Sequence, residues 1–325
     1  MLTIIIFTSG RYNYLLPLLN DIIQSNIKIK IKVINYRHND KYKIDPFLKK
    51  NIQYIVDKKH KTFAERFFNY IKKTKTKYVW FIGDDDRIET GYLKPLINFL
   101  KIKNNSGFVL NLSSFHKNEE IKKNKKIIKN VKFQSFDLLK NINILGTIGT
   151  QIINVNSFKK ISKLLNKKIL LNYEYPQVYL ALKLIREFKD WTFIENKILF
   201  YRYGNFKINN KNLEIRLDME FKGYFLAAKE IFGLNSKIYK KIFIIIFFKN
   251  IFSWLILAIE NIGKIKTKKI INNNRILIPN FWWINLILFL MYITPEKFWT
   301  LLKNLKKIFT NLQNKKYLSI IRYKV

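Results

Sequence analysis

The sequence predicts an α/β fold, a mixed and mostly parallel sheet flanked by helices, followed by a C-terminal helical region. Three observations carry this expectation. Up to about residue 100, apolar runs of strand length alternate with segments of helical period. The first run, Leu2–Phe7, is apolar throughout, as a parallel strand covered on both faces must be. Beyond about Phe232 the acids nearly vanish and two long apolar runs take over.

Taken in order, Leu2–Phe7 ends in the turn "TSGR" (Thr8–Arg11). Tyr14, Leu15, Leu18, Leu19, Ile22 and Ile23 then recur at helical spacing. Lys28–Asn35 alternates Lys and Ile like a half-exposed strand, and Asn51–Val56 reads as a third strand. Phe63, Phe67, Phe68 and Ile71 mark a second helix, and Tyr78–Ile82 a fourth strand. Ligands of such sheets bind beyond the carboxyl ends of the strands. Thr8–Arg11, Arg37–Asp40 and Asp84–Asp86 all lie at such ends, so they can converge. Lys117–Lys132 reads as an exposed lysine-rich hairpin or loop. Ile142–Val155 is strand-like, and Gly146 and Gly149 within it suggest a bulge or a close backbone approach. Asn172–Ile185 enters a helix with Pro176 in its first turn.

The chain has 325 residues, 48% of them hydrophobic, enough for a real core and too many for a disordered chain. It has no cysteine, which excludes disulfides and thiolate metal sites. A net charge of +39 points to an anionic partner: a membrane surface, a nucleic acid or a phosphorylated substrate. No nucleic-acid motif is present and the lysines are spread rather than striped, so nucleic acid is not the expected partner. The N-terminus lacks a basic segment before its short apolar run, unlike a secretory signal, and the cytoplasm is the expected location. The expected domains are 1–205 and 206–325.

The two late apolar runs are Ile242–Ile259 and Ile276–Ile293. Each is near the lower limit of a membrane span and each is interrupted, by Lys249 and Asn250 or by Pro279, Asn280 and Asn285. Lys249, Ser253, Glu260 and Lys264 fall roughly on one face. That pattern suits helices in the plane of the membrane interface; a packed helical domain with a basic exterior is the alternative.

The central stretch is "YVWFIGDDDRIE", Tyr78–Glu89. Asp86 or Glu89 can cap the following helix, but one acid suffices for that. Three adjacent carboxylates raise one another's pKa, and a hard divalent ion resolves the conflict: Mg²⁺ takes one or two carboxylates together with phosphate oxygens and water.

"LTIIIFTSGRYNYLLPLLNDI", "INYRHND" and "TFAERFFNYIKKTKTKYVWFIGDDD" together resemble the N-terminal half of the family-2 glycosyltransferases with the GT-A fold. The likeness is to the abequosyltransferase-like branch that builds bacterial O-antigen and capsule, and it spans about residues 2–205. It implies inverting transfer from a nucleotide sugar to a lipid-linked or polysaccharide acceptor, with Mg²⁺ or Mn²⁺ at the Asp-any-Asp motif. By resemblance, Thr8, Ser9 and Arg11 border the nucleotide, Asp40 contacts the base or ribose, and Arg66 faces the donor. Asp86 is the direct metal ligand. Asp84 touches the ribose or a metal-bound water and counts with Asp86 as a metal-site residue, with Asp85 bordering the nucleotide. The first loop, "TSGRYN", departs from the usual "TYNR", and the segment before the second helix lacks the family's Gly and Asn.

Such a transfer needs a general base at the acceptor hydroxyl. Family members place an acid about 90 residues after the metal motif, where this sequence has Glu174, in "NYEYPQ". Glu174 as a helix cap is the alternative, and Asp190 and Glu187 are weaker candidates for the base. None of His38, His60 and His116 is assigned a role. Arg202, in "FYRYGN", suits either donor phosphates or a structural salt bridge. The resulting expectation is a glycosyltransferase, peripheral on an anionic inner-membrane surface. A basic binding protein without catalysis and a sugar-phosphate nucleotidyltransferase remain as alternatives, the latter disfavoured by the glycine-poor "TSGR".

Overall fold

The computed structural model describes residues 1–37, 50–116, 130–165, 174–203, 210–295 and 298. Asp40, His38 and the stretch 117–129 lie outside the described residues. The chain divides into two compact units, Met1–Lys207 and Ile208–Val325.

The first unit is built on one mixed sheet. Its strands are β1 (Leu2–Thr8), β2 (Lys30–Asn35), β3 (Ile52–Val56), β4 (Tyr78–Gly83), β5 (Arg87–Ile88), β6 (Gly107–His116), β7 (Phe133–Ser135), β8 (Gln151–Asn154) and β9 (Thr192–Tyr203). The order is β3-β2-β1-β4-β8-β6-β9-β5, with β7 also on β9. Pairing is parallel from β3 through β4, turns antiparallel at β4–β8 and β8–β6, and is parallel again at β6–β9. All seven residues of β1 are buried, which is why that run shows no polar alternation. Helices α1 (Tyr12–Gln24), α2 (Phe63–Lys72), α3 (Thr90–Ile102), α4 (Leu138–Asn141), α5 (Val155–Ser162) and α6 (Pro176–Phe188) complete the unit. The start of α2 is a capping box, with Thr62 accepting from the Glu65 N–H and Glu65 reaching back to the Thr62 N–H.

The strand-like reading of Ile142–Val155 is corrected. Residues Ile142–Gly146 and Ile148–Thr150 form two 3₁₀ turns, and only Gln151–Asn154 is a strand. Local contacts outweigh the apolar pattern there: Thr150 Oγ1 donates to the Ile144 and Thr147 carbonyls, and Gln151 Nε2 to the Leu145 carbonyl. Glu89 is the N-cap residue of α3, without a capping bond from its side chain, so none of Asp84–Asp86 serves as that cap.

The second unit is helical. Helix α7 (Asn210–Glu220) passes through a π turn, Phe221–Leu226, into α8 (Ala227–Phe232). Residues Lys237–Ile262 form one long apolar helix, α9, with a π turn at Phe247–Ile251. Helices α10 (Lys264–Asn273) and α11 (Trp282–Ile293) follow. Helix α9 is long and apolar enough to cross a membrane, yet half of its most apolar window is buried within the protein. Phe243 stacks on Phe225 (4.4 Å between centroids) and on Phe247 (5.6 Å). Much of the run Ile242–Ile259 is therefore turned inward, as a core helix.

One buried ion pair ties α1 to the sheet beside the three aspartates. Arg87 donates from Nε to Asp21 Oδ2 at 2.6 Å and from Nη2 to Oδ1 at 2.8 Å, and the Ile88 N–H reaches Oδ2 at 3.4 Å. Removing one partner of such a pair strands the other charge. Asp21→Asn is expected to lower unfolding free energy by about 3 kcal/mol, read from denaturant titrations. A loss within about 0.5 kcal/mol would show that this clamp contributes little.

Candidate active site

Strand register sets the site. β1 and β4 run parallel with Phe7 beside Gly83, so Thr8 and Asp84 emerge together at the carboxyl end. Thr8 Oγ1 donates to Asp84 Oδ2 at 2.6 Å. The turn after β1 folds back on itself: Gly10 has φ +83°, a conformation that favours glycine, and its N–H donates to Thr8 Oγ1 at 3.1 Å. Ser9 lies half-buried in this turn. Arg11 occupies the N-cap position of α1 and turns its guanidinium to the acids. Nε meets Asp84 Oδ2 at 3.2 Å, Nη2 bonds Asp84 Oδ1, and Nη1 meets Asp85 Oδ2 at 3.1 Å.

A second approach comes from β9. Arg87 pairs antiparallel with Phe200, so Arg202 falls opposite Asp85. Its Nε donates to the Asp85 carbonyl at 2.9 Å, and its main-chain N–H approaches Asp86 Oδ1 at 3.4 Å. The guanidinium lies 4.7 Å from the Tyr14 ring centroid and 4.4 Å from that of Phe115. Burial lowers its pKa from the ordinary arginine value. The sequence left Arg202 between two roles, and its side chain is placed against the acidic turn.

Asp86 fills a slot between two glycines. A Cβ at Gly83 or Gly149 would stand 3.3 Å from its Oδ2, and one at Gly149 would also come within 2.6 Å of Leu199. Trp80 Nε1 donates to the Gly149 carbonyl at 2.7 Å, fixing that close approach. Burial first, then the Asp85 charge, pushes the Asp86 carboxyl up to about 8. Asp84 is also raised, by burial, against opposing hydrogen bonds from Arg11 and Thr8.

These residues fit a divalent ion. Asp86 is a buried carboxyl with which, among the described residues, no lysine or arginine side chain forms a close ion pair; Arg202 acts on it at longer range. Asp84 and Asp85 already hold one cation, the Arg11 guanidinium. Among the described residues no group of three or more His, Asp or Glu side chains is placed to hold a metal ion, so the protein would supply at most two ligands. The set suits an ion taking one or two carboxylates with phosphate and water completing its shell.

The remaining residues fall elsewhere. Arg66 sits beyond β2 and β3, its Nε 3.5 Å from Asp57 Oδ2, its Nη2 on the His60 carbonyl, and its guanidinium 5.1 Å from the Tyr36 ring. Burial raises Asp57, but hydrogen bonds from His60 and the Lys59 N–H hold it below the usual carboxylate range. Asp57 and Phe115 were not singled out from sequence, and Tyr14 was read only as a helix position. Asp57 was findable, since it directly follows the third strand. Glu174 is exposed, two residues before α6, whose N-cap is Tyr175. Gln177 in that first turn donates to the Gly146 carbonyl at 2.8 Å, within the same 3₁₀ segment that brings Gly149 to Asp86. Asp190 is structural: it accepts from the Ser106 N–H at 2.8 Å and from the Ser106 hydroxyl. Glu187 is exposed near the far end of α6.

A buried acidic turn at the carboxyl end of parallel strands, flanked by two arginines, suits a nucleotide-sugar transferase. Residues 3–164, just under half of the chain, match the family described as glycosyl transferase family 2, and the N-terminal unit has a GT-A-like fold. Residues 1–349 of S. aureus TarS share this fold, with TM-score 0.59 and 13% identity over 86% of this chain and 81% of that one. The same fragment in complex with UDP-GlcNAc gives TM-score 0.60 and 12% identity, with the same coverage. A longer TarS chain aligns at TM-score 0.59 and 13% identity; 86% of this chain is covered but only 49% of that one. No curated protein matches the sequence.

The raised Asp86 carboxyl predicts a pH signature. An unfolded aspartate titrates near about 4, so the folded state binds the extra proton and loses stability as pH rises from there to about 8. In chelator, the wild-type melting temperature is expected to fall relative to Asp86→Asn across that window. Parallel profiles for the two proteins would contradict the assignment.

Proposed function

We propose that this chain is an inverting glycosyltransferase of bacterial surface-glycan assembly, of the O-antigen and capsule type. It would move a sugar from a nucleotide-sugar donor to a lipid-linked or polysaccharide acceptor at the cytoplasmic face of the inner membrane. The observation that carries this reading is the buried Asp84–Asp86 turn, held by Thr8 and Arg11 where two parallel strands end. A Mg²⁺ or Mn²⁺ ion held by Asp84 and Asp86 would neutralise charge developing on the diphosphate leaving group.

The chain's own residues supply the rest. Thr8 and Arg11 orient Asp84, so its carboxylate is set before donor arrives. Arg202, braced by Tyr14 and Phe115, keeps a cation beside the Asp85–Asp86 turn for phosphate oxygens. Glu174 takes the proton from the acceptor hydroxyl. The acceptor oxygen bonds the anomeric carbon as the bond from that carbon to the phosphate oxygen breaks, and the nucleoside diphosphate leaves with the electron pair. Arg66 and Asp40 belong to the nucleoside side of the donor, with Ser9 and Asp85 bordering the nucleotide. UDP-GlcNAc, bound by TarS, is the first donor to try.

The test is a product assay with nucleotide sugar and lipid-diphosphate acceptors. Nucleoside diphosphate release is expected; pyrophosphate release would instead indicate nucleotidyl transfer. Glu174→Gln is expected to lower kcat by about 100-fold with donor Kd unchanged, as removal of a general base does. An unchanged kcat would remove Glu174 from the mechanism.

A further inference from the structure

Helix α11 carries an exposed apolar face that the packing of its unit leaves open. Trp282, Leu286, Phe289 and Ile293 are 75%, 45%, 56% and 58% exposed. Their spacing is four, three and four residues, so at 3.6 residues per turn they lie within about 60° of one another. On the other side Ile284 and Leu288 are buried. No residue of Trp282–Ile293 carries a charge. The helix is thus anchored by one stripe and presents another to its surroundings.

Two cations contact that helix and its end. The Arg275 guanidinium donates to Asn285 Oδ1 at 2.6 Å, and the Lys264 ammonium donates to the Thr294 carbonyl just past the helix end. Helix α10, which packs against α11, exposes Lys268 and Lys269, together with Ile265 and with Lys266, which pairs with Glu214 at 3.5 Å. From residue 233 onward the sequence has seventeen Lys and Arg but only two acids, Glu260 and Glu296.

We infer that this face docks the protein on an anionic lipid bilayer, with α11 lying in the interface plane. Apolar side chains enter the boundary of the acyl chains while the surrounding lysines and arginines meet acidic headgroups. Trp282 at the helix start is suited to the headgroup level. Charge decides against the other occupants. A second copy would bring two strongly basic surfaces together, and residues 299–325 of this chain carry seven Lys and Arg and no acid. A nucleic acid would meet the lysines but leave the apolar stripe in water. Helix α9 is a poorer contact, because Tyr239, Phe243, Phe247 and Leu255 are spent on the unit's own core.

The chain has no cysteine, so one introduced thiol reports on one place. Full-length Phe289→Cys carrying an environment-sensitive dye is mixed with phosphatidylglycerol–phosphatidylcholine vesicles, with phosphatidylcholine vesicles alone for comparison. Ile102→Cys, at an exposed position of the first unit, is the control. The dye at 289 is expected to move into an apolar environment on the anionic vesicles only, and the dye at 102 to stay in water. Changing Trp282, Leu286, Phe289 and Ile293 together to Ser is expected to weaken vesicle partition at least tenfold, leave the melting temperature within a degree or two, and leave nucleotide-sugar binding unchanged. A dye at 289 that stays aqueous on vesicles, or that is already shielded without them, overturns the proposal. So does full vesicle binding by the four-serine variant. Alkaline carbonate is expected to release the bound protein, and resistance to it would replace docking with a membrane span. The docking face and the donor site are read by different probes, so either can fail alone.

Discussion

The loop after β1 and the acidic turn after β4 depend on one buried carboxylate, Asp84, held where two parallel strands end. The β1–β4 register delivers Thr8 to it, and the left-handed turn at Gly10 brings Arg11 back onto it. Burying a charge is costly unless it is bonded, so Asp84 constrains the loop after β1 as firmly as that loop constrains Asp84. Asp86 follows two residues later under a different constraint. It is wedged between glycines and opposite the main chain of Arg202, without a close ionic partner among the described residues. The first acid is held by a hydroxyl and an arginine, whereas burial and the Asp85 charge push the other towards its protonated form.

That asymmetry links electrostatics to chemistry. Arginine is a permanent cation with fixed fork geometry, and in the metal-free protein it can neutralise Asp84 and Asp85 together. A divalent ion brought with a diphosphate would compete for those same oxygens while also relieving Asp86. On the proposed function, donor binding would change the charge partners of these acids, and Arg11 would have the most to exchange. The Asp21–Arg87 pair, just beyond the acidic turn, holds β5 against α1.

The central sheet was legible because its strands are buried on both faces and uninterrupted, as Leu2–Phe7 and Tyr78–Ile82 show. The aspartate triplet was legible because three like charges in a row have few structural uses. The 3₁₀ turns at Ile142–Thr150 were not, since their apolar residues match a strand and only side-chain bonds from Thr150 and Gln151 decide otherwise. Nor was the Asp21–Arg87 pair, which joins residues far apart in sequence without any motif. Arg202 was seen as a candidate, but its stacking between Tyr14 and Phe115 depends on the β5–β9 register, which no local pattern reports. In the second unit, two apolar runs of similar composition have opposite fates. Much of the first is buried as a core helix, whereas the second keeps a stripe exposed, a difference set by tertiary packing alone.

The most direct test of the central claim is calorimetry of a nucleotide-sugar panel, with and without Mn²⁺, on wild type and on Asp86→Asn. The account predicts that one donor binds, that binding requires Mn²⁺, and that the single substitution abolishes the Mn²⁺ dependence along with most of the affinity. Donor binding that is indifferent to both the ion and the substitution would contradict it, and the acidic turn would then have no part in holding a cation with a diphosphate.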